Sequence, residues 1–466
     1  MSRPAGRRVA ERPARRRVAM PRLRADLVIG LVAVLVTGAT LATVADPDEP
    51  QPEQARAPGA RQLTEAVLAC PGGSRVSVAQ PVAEEGDGEG DGELTLASAG
   101  AEARPIDLAP GGVVDTAVDG PSVLRATGAL APGLIAAVEG PSVRSECVAP
   151  AGEWWFAAVG AGGLHVSTLT LTNPDDGPAI ADLEVWGPQG PVTSEAIRGI
   201  AVDGGQTVTR NLAELVPSRD DVVVRVLVRQ GRLGVSMRDQ TVVAADPLTA
   251  EHPATSAPTT RAVLPAVPSG QLRLVIGNPG DEAARAQLKV SGAESESVPL
   301  DVDPVPVPAG EVVSVPLDAN TRKLLRSGEA SLVVEGTAPL VSSVAGVVAG
   351  RPVTMTAVDA AAARSAVFLP DLAQRTLVLT ASEHATPVTV RFLGGGEDWK
   401  GRLQPQVSTA VPVPKGAQVA WVETDAPHLG AVRGQGPAGL GWLPLRELRE
   451  ERLVPVVRPD QLHSGG

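Results

Sequence analysis

At 466 residues the chain is too long for a single hydrophobic core, and with 43% hydrophobic and 20% charged residues it has the composition of several folded domains. Glycine (50) and proline (43) are abundant, while aromatics are only 2% with no tyrosine. That balance argues against long helices and for many turns, and weighs against a surface that stacks on bases or sugars.

The net charge of −12 is unevenly spread. Nine arginines, Arg3 to Arg24, face the single acid Glu11, so everything downstream is acidic. A basic head on an acidic body is a topology signal, and the body would be repelled by nucleic acid. Residues 1–25 are therefore expected to be a cytoplasmic tail.

Residues 27–45, LVIGLVAVLVTGATLATVA, form an uncharged apolar run. At ~1.5 Å per residue it spans about 28 Å, enough to cross a bilayer. The arginines before it keep the N-terminus inside and send the body outside. A transmembrane anchor at 26–45 is expected, with the protein in the cell membrane as a single-pass, extracytoplasmic chain. The small residues Thr43, Val44 and Ala45 leave signal-peptide cleavage as the alternative. The run is longer than the roughly 7–15 residues of a secretory core, which favours an uncleaved anchor. Residues 46–62 read as a Pro-rich stalk.

Two cysteines, Cys70 and Cys147, lie in the exported part. In an oxidising compartment they are expected to form a disulfide stabilising the fold by roughly 4–5 kcal/mol. Two buried thiols are the alternative. Neither has a second Cys or a His at metal-ligand spacing.

A motif of apolar, any, apolar, two residues, Gly, two residues, apolar recurs four times. Its copies are Ile106-Leu108-Gly111-Val114, Ile200-Val202-Gly205-Val208, Val305-Val307-Gly310-Val313 and Val411-Val413-Gly416-Val419. The glycines are 94, 105 and 106 residues apart. Alternating apolar residues around a glycine turn predict two strands of one repeated β-unit. Upstream strands are expected at Val76-Val78, Leu169-Leu171, Leu274-Ile276 and Leu377-Leu379. Asn173-Pro174 and Asn278-Pro279 end the middle two as turns. Downstream apolar runs follow at 134–138, 222–228, 332–334 and 419–422, with a shared VEG/VET tail starting at Val138, Val334 and Val422. Each unit opens with an apolar stretch: AVLACP, WWFAAV, RAVLPAV and SAVFLPDL. The fold class expected is all-β, as tandem immunoglobulin-like sandwiches over 63–150, 151–250, 260–358 and 363–458. A propeller would need a period of ~40–50 residues.

Chemistry-bearing motifs are sparse. The five histidines (His165, His252, His384, His428, His463) show no two-ligand spacing, and no nucleophile elbow or Walker frame exists. The Gly434-Gly436-Gly439 match precedes Leu440-Gly441-Trp442, so it reads as a hairpin and not as a dinucleotide loop. The acidic run EEGDGEGDGE at 84–93 lacks the frame of a calcium loop and reads as a solvated hairpin. Asp182/Glu184 and Asp301/Asp303 each share a strand face, as surface acids do. Trp154, Trp155 and Phe156 are the one aromatic cluster. They read as core on one side with Trp155 filling the junction toward Cys147, or alternatively as a partner or ligand patch. No catalytic residue, cofactor or metal is expected.

The run CVAPAGEWWFAAV, the LTLTNP strand and the V-x-V-x-x-G repeats behind one anchor resemble an actinobacterial membrane-anchored family of unknown function, number 5719. The resemblance implies an envelope location and supplies no catalytic residues. The expected function is a non-catalytic extracytoplasmic scaffold or interaction protein of the cell envelope, with a protein partner. The alternative is a cell-wall polysaccharide-binding accessory of a glycan-building system.

Overall fold

The computed structural model describes residues 59–454, apart from 82–91, 110, 141–143, 164, 242–247 and 437–438. The expected tail and anchor, most of the stalk, and most of the acidic glycine run lie outside the described residues. Within them the chain is all-β. Their longest helix, Ala319–Leu324, is a single turn and a half, capped by the Asp318 carboxylate on Asn320 N (2.7 Å) and Thr321 N (3.0 Å). No helix among them is long and apolar enough to cross a membrane.

Four successive sets of strands repeat one strand order. With eight strand positions numbered along each set, one sheet runs 4-3-6-1 and the other 5-2-7-8. The second set is the simplest. Its first sheet takes Gly190–Val192 and Ile200–Val202 at position four, Ala179–Gly187 at three, Val222–Gln230 at six and Glu153–Val159 at one. Its other sheet takes Thr207–Asn211, His165–Thr172, Gly234–Thr241 and Leu248–His252. The fourth set does the same with Trp399–Leu403, Thr386–Leu393, Val419–Thr424 and Arg364–Phe368, then Thr409–Pro412, Gln374–Ala381, His428–Gly436 and Gly439–Pro444. In the third set Ser331–Val348 serves as positions six and seven at once, pairing with one sheet through its first half and the other through its second. In the first set Glu65–Ala79 and Val113–Thr127 each bend between sheets, with register shifts between Cys70 and Arg75.

The glycine turn has a common cause in three of the four sets. Gly111, Gly205 and Gly310 have φ of 72°, 67° and 70° and each sits just before the position-five strand. That strand then pairs with position two: Val114 with Val78, Val208 with Leu171, Val313 with Ile276. The fourth copy is out of step. Val411 already belongs to position five, opposite Leu377, and Gly416 turns the chain from position five to six. The equivalent turn in that set is made by Gln406 at φ 64°, flanked by buried Leu403 and by Thr409 opposite Leu379. Apolar alternation occurs in every strand, so a motif of that kind can slip by one strand and still match. The apolar run at 134–138 slips likewise. It forms position seven, whereas its counterparts at 222–228, 332–334 and 419–422 form position six.

The turn is tied in by a buried asparagine in the middle sets. Asn173 donates through Nδ2 to Gly177 O (2.8 Å) and Val202 O (3.0 Å), and its Oδ1 accepts from Asp175 N (3.1 Å). Asn278 repeats this pattern on Glu282 O, Val307 O and Gly280 N. Asn-Pro thus marks a clamp from one sheet of the set to the other as well as a turn.

The sets do not form a row. The outer face of each 4-3-6-1 sheet packs on the outer face of the next set's 5-2-7-8 sheet. Between the first and second sets, a side chain at Gly234 would collide with Ala69, and Arg238 donates to Gly72 O (2.9 Å). Between the second and third, Trp155, Ala157 and Val223 bury against Val275, Val312 and Val341. Between the third and fourth, Val378, Ala431 and Trp442 join the third core, and Trp442 Nε1 donates to Pro265 O (2.8 Å). The fourth then meets the first: Ala366, Phe368, Val419 and Trp421 pack on Ala79 and Ala137. The result is a closed ring of eight sheets. The ~100-residue period hides this, because each repeat supplies two sheets.

The left-handed turn positions can be tested by substitution. Nothing lies within 4 Å of a Cβ built on Gly205, so Gly205→Ala tests the left-handed backbone alone and should cost about 1–2 kcal/mol. Gln406→Gly should instead raise stability by up to about 1 kcal/mol, because it relieves the same conformation. Urea unfolding of the two variants measures both signs.

Candidate functional site: the centre of the ring

The inner edges of the sheets converge on a cavity of about 670 Å³, a size ordinary for ligand sites. Its walls come from the first strands of the first, second and fourth sets, the segment after Glu146, and the chain around Arg446. Small side chains dominate, among them Ala66, Ala136, Ala149, Ala151, Ala257 and Ala360. One ion pair crosses it: Arg446 of the fourth set donates to Glu146 of the first through Nε (3.0 Å to each oxygen) and Nη2 (2.5 Å). Burial opposes the Arg446 charge, but the facing carboxylate outweighs it and raises the guanidinium pKa.

Cys70 and Cys147 form a disulfide (S–S 2.06 Å), and Cys147 lies on the cavity wall. It fastens the first strand to the segment leading out of the first set. Trp154 and Trp155 also line the cavity, but their rings are largely spoken for. Trp154 packs on its own set's core and donates to Leu233 O (3.0 Å). Trp155 is 6% exposed and stacks on Trp186 at 5.5 Å, with the Arg225 guanidinium 5.4 Å from its ring. It packs against the third set; the segment around Cys147 meets it only across the cavity. Phe156, 1% exposed, is core of the second set.

The histidines fall into separate settings. His384 is exposed, and His463 lies outside the described residues. His165 sits in a buried charged cluster between the second and third sets. Its Nδ1–H donates to Asp239 (3.0 Å), Ser167 Oγ donates to the same carboxylate (2.6 Å), and Asp221 lies 3.8 Å from Nε2. Across the interface Arg273 clamps Asp221 at 2.6 and 2.8 Å, and Ser314 donates to it at 2.8 Å. Here the aspartate joins serine to histidine, whereas nucleophile activation needs the histidine in the middle. His252 donates through Nε2 to Ala157 O (2.7 Å). His428 accepts from Ser365 Oγ at Nε2 (2.6 Å) and donates from Nδ1 to Thr424 (3.0 Å). That pair has the geometry of a nucleophile and base, but Ser365 and His428 are both 0% exposed, with no acid behind the ring. No cluster of three His, Cys, Asp or Glu placed to hold a metal occurs among the described residues.

The remaining motifs resolve locally. Gly436 pairs with Gly439 in a hairpin of His428–Gly436 and Gly439–Pro444. Asp182 accepts from Gly199 N (2.8 Å) and Arg229 (2.9 Å), and Glu184 from Arg225 (3.0 Å), so these acids hold their own sheet. No sequence motif marks the interface cluster or the cavity. Their signal was the run of consecutive apolar residues in WWFAAV and SAVFLP, which a sheet with one wet face does not need.

A family model described as a family of unknown function, DUF5719, matches residues 115–414. The chain belongs to that family. Comparison with curated proteins and with solved structures finds no match. Membership of DUF5719 therefore brings no chemistry from outside, and the reading of the site rests on its own geometry.

The buried histidines fix the acid behaviour of this DUF5719 member. Desolvation lowers His252 and His428 to about 4 each. Each is thus held neutral, so its contribution is present above the unfolded value near 6.5 and is lost as pH falls. Burial also disfavours a charge on His165, but Asp239 and Asp221 overcome it against Arg273 and raise its pKa. Its contribution is complete below the unfolded value and is lost as pH rises through the folded one. In urea titrations, His428→Gln should narrow the stability gap between about pH 7.5 and 4.5 by about 2–3 kcal/mol. His165→Gln should cost more at pH 6 than at pH 9.

Proposed function

We propose that the chain is a non-catalytic scaffold of the cell envelope, held at the outer face of the membrane by residues 26–45 and recruiting a protein partner. In this reading its body is a set of immunoglobulin-related sandwiches. Compared with the seven-strand constant-type division, the first and fourth strands have moved to the sheet of strands three and six, and the seventh to the sheet of strand two. The observation that carries the proposal is ring closure by four equivalent sheet-to-sheet contacts. Such a body presents fixed edges and loops, which suits docking better than turnover of a substrate. The polar clusters support it too, since the Ser365–His428 pair and the His165 cluster are buried and engaged in packing.

A glycan-binding role draws less support. Sugar recognition needs open aromatic faces, and the Trp155 ring is buried, stacked on Trp186 and approached by Arg225. Trp155→Ala would also empty the contact with the third set at a cost of about 3–5 kcal/mol, so it is a poor binding probe.

Chemical crosslinking on intact cells tests the scaffold reading. A defined envelope protein should be joined reproducibly to lysines or acids of residues 60–454, and added protease should reach these residues without lysis. Retention on purified wall glycan with no protein crosslink would sink the proposal.

A further inference from the structure

The central cavity contains an unfinished strand edge. Within Glu65–Ala79, Ala69 exchanges both backbone hydrogen bonds with Val148 (2.8 and 2.9 Å), so its N–H and C=O point inward, away from strand Val113–Thr127. Backbone direction alternates along a strand, so Val67 and Glu65 point the same way. Gly128 N donates to Thr64 O (3.1 Å), which fixes the alternation at the other end. Past Val148 the inner pairing stops: Pro150 has no N–H to offer, and Ala151 pairs instead with Leu233. The edge of Glu65 and Val67 therefore faces the cavity, whose wall both residues line. In the fourth set the corresponding edge is closed, because Arg446 and Glu447 pair with Ala366 and Ser365 and Leu448 N donates to Arg364 O (3.0 Å). The repeat is its own control: one first strand has received an inner partner and the other has room for one.

The geometry points to an extended peptide segment of a partner protein, added as a short strand along Glu65–Val67 inside the ring, between the bond of Leu63 N to Glu450 O (2.7 Å) and the Ala69–Val148 pair. Backbone donors and acceptors at an open edge are satisfied by another backbone, the usual chemistry of strand addition. Two residue rises of ~3.4 Å span the open edge, so about three residues of partner pair with it and their flanking residues lie against the cavity walls. The alanine walls select small apolar side chains at alternate positions. Charge selects one basic residue among them. Among the described residues, no cation lies in ion-pair range of Asp359 or Glu447 on the wall and no anion in range of Arg449; Asp359 acts on Arg446 from farther away, and the wall as a whole keeps one uncompensated negative charge. This site gives the scaffold reading a place and a partner chemistry, and it rests on that reading.

Amide hydrogen exchange on the full chain tests it, with acetyl-Ala-Val-Lys-Val-Ala-amide as the probe. Without peptide, Val67 N–H should exchange at least tenfold faster than Leu68 N–H, which bonds to the neighbouring strand. With saturating peptide the Val67 rate should fall at least tenfold. The analogue N-methylated at both valines should have no effect. Val67→Pro removes the inward N–H while leaving the outer pairing, and Ala257→Trp intrudes on the cavity from an exposed wall position; each should weaken binding at least tenfold. If Val67→Pro fails to fold, Ala257→Trp carries the comparison. Equal protection by the N-methylated analogue, or none by either peptide at millimolar concentration, overturns the strand-addition site. Crosslinks to a defined partner elsewhere on the ring would still stand, so the scaffold reading fails or survives separately.

Discussion

The architecture depends on sheets that are apolar on both faces. A free-standing sandwich hides one face of each sheet and wets the other, and its strands alternate accordingly. Here Glu153–Val159 buries five consecutive residues, and Gly439–Pro444 is buried throughout. Such strands need a second neighbour, and the next set of strands supplies it. Four units with two sticky faces each satisfy every face only by closing on themselves, which is what the contact between Trp421 and Ala137 completes. An open row of the same units would leave Phe368, Val419 and Trp421 in water at one end, an apolar patch prone to association.

Closure at the right register needs more than apolar area, which is indifferent to sliding. Two devices fix it. Close approach is one: Gly234 lets the second set's sheet lie against Ala69, where any side chain would overlap. Buried polar pairing is the other. Arg273 and Ser314 reach across to Asp221, and Ser331, Ser408 and Ser291 bond one another between the third and fourth sets (2.8 and 3.2 Å). A shifted register would leave these groups buried and unpaired, at about 1–3 kcal/mol for each neutral group and more for each charge.

The same economy shapes the centre. Edge strands meet around the axis, so side chains there are small and ion pairs such as Arg446–Glu146 replace close apolar packing. Histidine chemistry is consumed by structure. His165 is held between two carboxylates and His428 between two hydroxyls, both at positions closed to solvent. What remains available is backbone, at the open edge of Glu65 and Val67.

Local patterns in the sequence determined the β class, the strand content and the repetition. Alternating residues such as Leu169-Leu171 and Leu274-Ile276 obey a two-residue period that neighbours in space cannot alter. The pairing of Cys70 with Cys147 followed because no other cysteine was present. Register along the repeat was less secure: Val411-Gly416 and Leu134–Val138 matched their motifs one strand out of step, since adjacent strands of one sheet share the same alternation. Only the tertiary structure decided that Gln406, which carries no sequence signal, makes the turn that glycine makes elsewhere. It alone decided the ring and its cavity as well, because the identity of the sheet covering a second apolar face is set by packing between segments a hundred residues apart.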